Sequence, residues 1–94
     1  MITAQTKIVR NDRVVYQELA PGQGAVLLHL DTAHYHGLNP VGALIWDLLG
    51  TEGATLGEVL AGVRAAVPDA PDAVERDVRE FIQALADRDV VRTT

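Results

Sequence analysis

At Asn39-Pro40 the hydrophobic pattern of this chain changes period, and that switch limits the folds open to it. Before it, apolar residues come in short β-branched runs separated by turn clusters. After it, they recur every three or four residues, the spacing of one helix face. "RVVYQEL" (13–19) is β-branched and aromatic, and "APGQG" behind it is a turn cluster. "AVLLHL" (25–30) is a nearly continuous apolar run, the length of a strand buried on both faces. "DTA" turns the chain and "HYHGL" (34–38) supplies a third strand. Residues 13–38 thus read as a three-stranded antiparallel meander, while residues 1–12 carry no periodicity and read as a flexible N-terminal segment.

Three helices follow. Asn39 caps the first, with Pro40 at the first helical position, where a missing N–H costs nothing. Its stripe is Val41, Leu44, Ile45, Leu48 and Leu49, and Gly50 stops it. Thr55 and Glu58 form a capping box ahead of Leu56, Val59, Leu60, Val63 and Val67, which Pro68 ends. Asp69 or Asp72 caps the third helix, with Pro71 near its start and Val74, Val78, Phe81, Ile82 and Leu85 as its buried face. "VVRTT" either adds a short terminal strand or trails off. The pattern has no repeat and no interdomain linker. It predicts one α+β domain over residues 13–92, a three-stranded antiparallel sheet followed by three helices.

Composition narrows the function. With no cysteine, neither disulfides nor thiolate chemistry is available, which fits a reducing cytoplasm. No apolar run approaches the roughly 20 residues of a membrane span, and the polar start lacks a signal peptide's core. The net charge of −5 runs against neutralising a nucleic-acid backbone. Only Tyr16, Tyr35, Trp46 and Phe81 are aromatic, so Ala, Val and Leu must build most of the core.

The stretch most suggestive of chemistry is "HLDTAHYHGLNP" (29–40). His34 and His36 share a face of their strand. A two-residue turn at Asp31-Thr32 puts His29 across from His34, on that face. A three-residue turn pairs His29 with Tyr35 and sends it to the other face. Zinc needs three or four convergent ligands, and no thiol or glutamate lies nearby, so solvated or packed strand histidines are the expectation and no metal or other cofactor is called for. The chain has no serine, Thr32 is placed to hydrogen-bond its own turn, and no phosphate-cradling glycine spacing occurs. The carboxylates of the third helix flank an apolar stripe as a solvated face does. These observations predict a non-catalytic binding module rather than an enzyme. Exposed strand edges are usually blunted by lysine or proline, and "TAHYHGL" has neither. If that strand is an edge, it is a template for an extended peptide; if its neighbours cover it, it is merely short.

"GAVLLHLDTAHYHGLNPVGALIWDLLG", "TLGEVLAGV" and "VERDVREFIQALADRDVV" together resemble the PqqD-like family over residues 14–91. "HGLNPVGALIW" is the most specific part; the last segment matches in pattern more than in identity. The family comprises recognition elements for precursor peptides in ribosomal peptide natural-product pathways. The resemblance implies a winged-helix-like fold in which the precursor's leader adds as a strand beside the third strand and packs on the third helix. On this chain that puts the peptide against Ala33, His34, Tyr35, His36 and Gly37, with Val74, Asp77, Val78 and Phe81 opposite; these four follow from helix periodicity. Relatives often carry glycine where this chain has Ala33. A short, acidic, stand-alone chain looks like the separate leader-binding protein of lasso peptide pathways. That implies a cytoplasmic module serving a cysteine-type leader peptidase and an ATP-dependent cyclase, with no nucleic-acid or membrane partner. The alternatives are a PqqD-type chaperone presenting its peptide to a radical enzyme, and a winged-helix DNA-binding regulator. Against the last, Arg64, Arg76, Arg79 and Arg88 stand among many carboxylates.

Overall fold

A computed structural model describes residues 2–69 and 71–94. The elements run β1 (Lys7–Arg10), β2 (Val14–Glu18), β3 (Ala25–His29), β4 (Tyr35–Leu38), α1 (Pro40–Leu49), β5 (Ala54–Thr55), α2 (Leu56–Ala66), α3 (Val74–Asp87) and β6 (Val91–Thr93). The fold is α+β, with the expected meander as one antiparallel sheet in the order β2-β3-β4 and three helices after it. A second antiparallel sheet, β5-β1-β6, joins the two ends of the chain.

That second sheet corrects the reading of residues 1–12 as a flexible segment. Lys7–Arg10 is a strand, Ile8 is fully buried, and Ile2 and Asn11 are buried as well; Met1 lies outside the described residues. Both partners of this strand are distant in sequence, with Ile8 paired to Ala54 on one side and to Thr93 on the other. No local pattern announces such a strand. "VVRTT" resolves as β6, and because it pairs with β1 it leaves the β2-β3-β4 sheet uncovered.

Three further expectations change in detail. β3 buries Ala25, Leu27 and His29 on one face, while Val26 and Leu28 on the other are only half-buried. α1 starts behind Asn39, whose side chain accepts from the Gly42 N–H (2.7 Å). It buries Gly42, Ile45, Trp46 and Leu49, leaving Val41 exposed and Leu44 and Leu48 half-buried. The helix is rolled so that Trp46 turns inward, where Tyr16 stacks parallel to it (centroids 6.4 Å apart) and the Arg10 guanidinium lies 4.8 Å above its ring. α3 is not capped by Asp69 or Asp72; its N-cap is Ala73, with no side-chain bond.

α2 follows its pattern closely. Thr55 and Glu58 form the reciprocal capping box, and Leu56, Val59, Leu60 and Val63 are buried, though Val67 at the C-cap is exposed. α3 ends in paired bonds from the Asp89 N–H to the Ala86 carbonyl (3.0 Å) and from the Val90 N–H to the Leu85 carbonyl (2.9 Å). This is the Schellman arrangement, with Asp89 in the left-handed region (φ 60°) that aspartate tolerates better than most residues. The core gathers Ile8, Leu27, Ile45, Leu56, Val59 and Ile82 between the sheets and the helices. No helix of the described residues is long and apolar enough to cross a membrane.

Candidate functional site

The β3–β4 hairpin sets the geometry of everything around it. Leu28 pairs with Tyr35 and Leu27 with His36, so His29 stands across from His34, the pairing that the two-residue turn required. Ala33 takes the left-handed conformation (φ 61°), its N–H donating to the His29 carbonyl (2.8 Å). That backbone is the physical reason a glycine suits the position. Thr32 holds the turn by accepting from the His34 N–H (3.3 Å). At the far end, Gly24 lets the chain pass β4: a Cβ there would sit 1.9 Å from the Leu38 carbonyl oxygen.

β4 is the outer strand of its sheet. Which of its groups are free follows from the register. The His29 N–H donates to the His34 carbonyl (3.0 Å), and bonded pairs alternate with non-bonded ones in an antiparallel ladder. His34, His36 and Leu38 therefore turn their main-chain groups toward β3, and Tyr35 and Gly37 turn theirs outward. The other side of β3 agrees. The Leu30 N–H donates to the Arg13 carbonyl and the Leu19 N–H to the Gly24 carbonyl, so even-numbered residues serve β2 and odd-numbered ones serve β4. Side chains alternate too: Tyr35 is 71% exposed on the outer face, whereas His36 and Leu38 point inward toward α3.

α3 runs beside this edge because its C-terminus is pinned to the hairpin. The buried His29 ring accepts from the Asp31 N–H at Nδ1 (3.2 Å), which leaves its proton on Nε2, facing the Asp89 carboxylate (3.3 Å). Buried Asn11 donates to the Asp89 carbonyl (2.7 Å) and carboxylate (3.1 Å). With Asp89 fixed at the hairpin, the C-terminal half of α3 lies along β4. A groove of about 190 Å³ forms there, with Phe81, Ala84, Leu85 and Arg88 facing β4. Toward the hairpin it continues past Thr32, Asp87 and Asp89. In the other direction it meets, at Phe81, a more apolar cleft of about 320 Å³ between the three helices.

The predicted site residues divide accordingly. Ala33 to Gly37 form the hairpin and edge strand. Phe81 is half-buried between the two hollows. Val74, Asp77 and Val78 do not face β4; they line the cleft with Asn39, Val41 and Gly42. Sequence reasoning misses Ala84 and Arg88, and treats Leu85 as core alone. A signal for them exists, since 81, 84, 85 and 88 are the i, i+3, i+4 and i+7 positions of one face. Inside the groove the Arg88 Nη1 donates to His36 Nδ1 (3.2 Å). His36 is held below the usual histidine range, first because burial disfavours the imidazolium and then because the Arg88 cation lies beside it. It is therefore a neutral acceptor at pH 7. The His29 and His36 rings serve different partners, and among the described residues no group of three or more His, Cys, Asp or Glu is arranged to hold a metal ion.

The sequence model of the family described as Coenzyme PQQ synthesis protein D (PqqD) matches residues 24–91, from the start of the hairpin to the first residue of β6. The chain belongs to the PqqD family. Among solved structures, one recorded as TbiB1 in complex with the TbiA(beta) leader peptide is similar to it. The two share 37% sequence identity and superpose with a TM-score of 0.76, covering 89% of this chain and 94% of that one. No curated protein sequence matches the chain.

Proposed function

We propose that this PqqD-family chain is a non-catalytic module that binds the leader segment of a ribosomally made precursor peptide. The leader adds as a strand to β4, and the observation that carries this is the open edge. Tyr35 and Gly37 present unpaired main-chain groups directly beside a groove lined by Phe81, Ala84 and Leu85. An extended peptide gains main-chain bonds there and buries every second side chain against α3. The similar solved structure, which holds a leader peptide, supports leader binding.

The binding surface extends beyond β4. A strand passing Leu38 meets Phe81 and enters the cleft of Val74, Asp77 and Val78, so a longer leader contacts both hollows. We infer a lasso peptide precursor, with the module delivering it in the cytoplasm to a cysteine-type leader peptidase and then to an ATP-dependent cyclase. A PqqD-type chaperone serving a radical enzyme would use the same groove. DNA binding fits less well, because Arg76 and Arg79 already pair with Asp77 and Glu75. Titrating the purified chain with the short peptide encoded beside its gene tests the reading. One-to-one binding lost on deleting the leader supports it; equal binding by the leaderless core peptide would contradict it.

A further inference from the structure

Arg88 is the cation at the centre of the groove, and no carboxylate among the described residues pairs with it. Its two neighbours in sequence are carboxylates, but both are engaged elsewhere. Asp87 accepts from Gln83 (2.9 Å), and Asp89 is taken by Asn11 and His29, with Arg92 nearby (3.7 Å). Arg88 makes no ion pair among the described residues; its side-chain bond is to the neutral ring of His36. One N–H is used there, and a guanidinium has five. His36 thus orients the fork while leaving most of its donors open.

The register says which peptide residue meets it. A strand added antiparallel bonds to Tyr35 and Gly37, so the residue directly opposite His36 sits in a non-bonded pair. Its side chain lies on the same face as His36, toward α3 and Arg88. Resting on the strand-addition reading, we propose that Arg88 is a specificity-determining residue that selects a peptide with Asp or Glu opposite His36. A carboxylate matches the guanidinium fork in shape and charge. The protein's own net charge of −5 disfavours acidic peptides generally, so the preference is confined to one position.

A display library of random 15-residue peptides, selected against the intact chain and its Arg88→Gln and Arg88→Glu variants, tests this. Arg88 is exposed at the helix end, and thermal melts establish that each variant is folded. Wild-type pools should enrich Asp or Glu at one position of a shared pattern. Arg88→Gln should lose that enrichment, and Arg88→Glu should replace it with Lys or Arg at the same position. For a selected peptide, Glu→Gln at that position should weaken binding to wild type about tenfold. The same change should cost Arg88→Gln about twofold or less. Enriched peptides without the acidic position, or with a preference that survives Arg88→Gln, would overturn the selectivity of Arg88 while leaving strand addition intact. Failure to enrich any extended peptide would overturn both.

Discussion

Gly37 offers a way to remove one edge hydrogen bond without touching the sheet. Its N–H faces outward, and a Cβ built there meets nothing within 4 Å. Proline at this position deletes a donor that β3 does not use, and edge strands are where sheet prolines are tolerated. A folded-state conformation that accepts the ring also gains about 0.4–1 kcal/mol from the restricted unfolded chain. Binding is another matter. One net main-chain bond is worth about 0.5–1.5 kcal/mol, rising to about 1–3 kcal/mol if a peptide carbonyl is left buried and unpaired. That range is about 2-fold to 150-fold in Kd, and a loss near tenfold is expected. Gly37→Ala keeps the N–H and should bind as wild type does. His36→Pro deletes a bond to β3 and should unfold the hairpin. Fluorescence anisotropy with a labelled leader peptide, beside circular-dichroism melts, reads both quantities. An intact Gly37→Pro protein that binds within twofold of Gly37→Ala would refute the assignment of that edge.

Phe81→Ala should cost about 2–3 kcal/mol, below the 3–5 kcal/mol of a fully buried phenylalanine, and should weaken peptide binding in chemical-denaturation and titration experiments. Asp77→Ala, in the cleft beyond Phe81, should melt normally and weaken only peptides long enough to pass Leu38; an equal effect on short peptides would move the binding path off β4. Because His36 is neutral in the fold and its unfolded form protonates near pH 6.5, its contribution to stability is present above about pH 6.5 and is lost as pH falls below it. A melting series from pH 7.5 to 5 should show that slope, and His36→Gln should reduce it. Ala33→Gly relieves a left-handed alanine and should raise stability by up to about 1 kcal/mol, read as a higher melting temperature.

Elements whose partners are near in sequence are legible from the amino acids alone. The switch at Asn39-Pro40, the Thr55–Glu58 capping box and the meander over residues 13–38 each carry local signals, and each forms. Lys7–Arg10 is not legible. Only Ile8 in it is fully buried, and its partners lie near residues 54 and 93, so burial and pairing both depend on closure of the whole chain. The roll of α1 escapes periodicity because Leu44 and Leu48 are as apolar as the positions that are buried; Trp46, stacked on Tyr16, decides the face. The site is half legible. The alternation of "TAHYHGL" marks the edge, and periodicity marks the α3 stripe. Which half of α3 faces β4 depends on the contact between His29 and Asp89, 60 residues apart, and no helical pattern encodes that.

The most direct test of strand addition is amide hydrogen exchange at single-residue resolution, by NMR, with and without the leader peptide. In the free protein the Tyr35 and Gly37 amides face solvent, while His36 and Leu38 are bonded to β3. Peptide at saturation should slow exchange strongly at Tyr35 and Gly37 and change His36 and Leu38 far less, a period of two along β4. Protection confined to amides around the helical cleft, with Tyr35 and Gly37 exchanging as fast as before, would contradict the account.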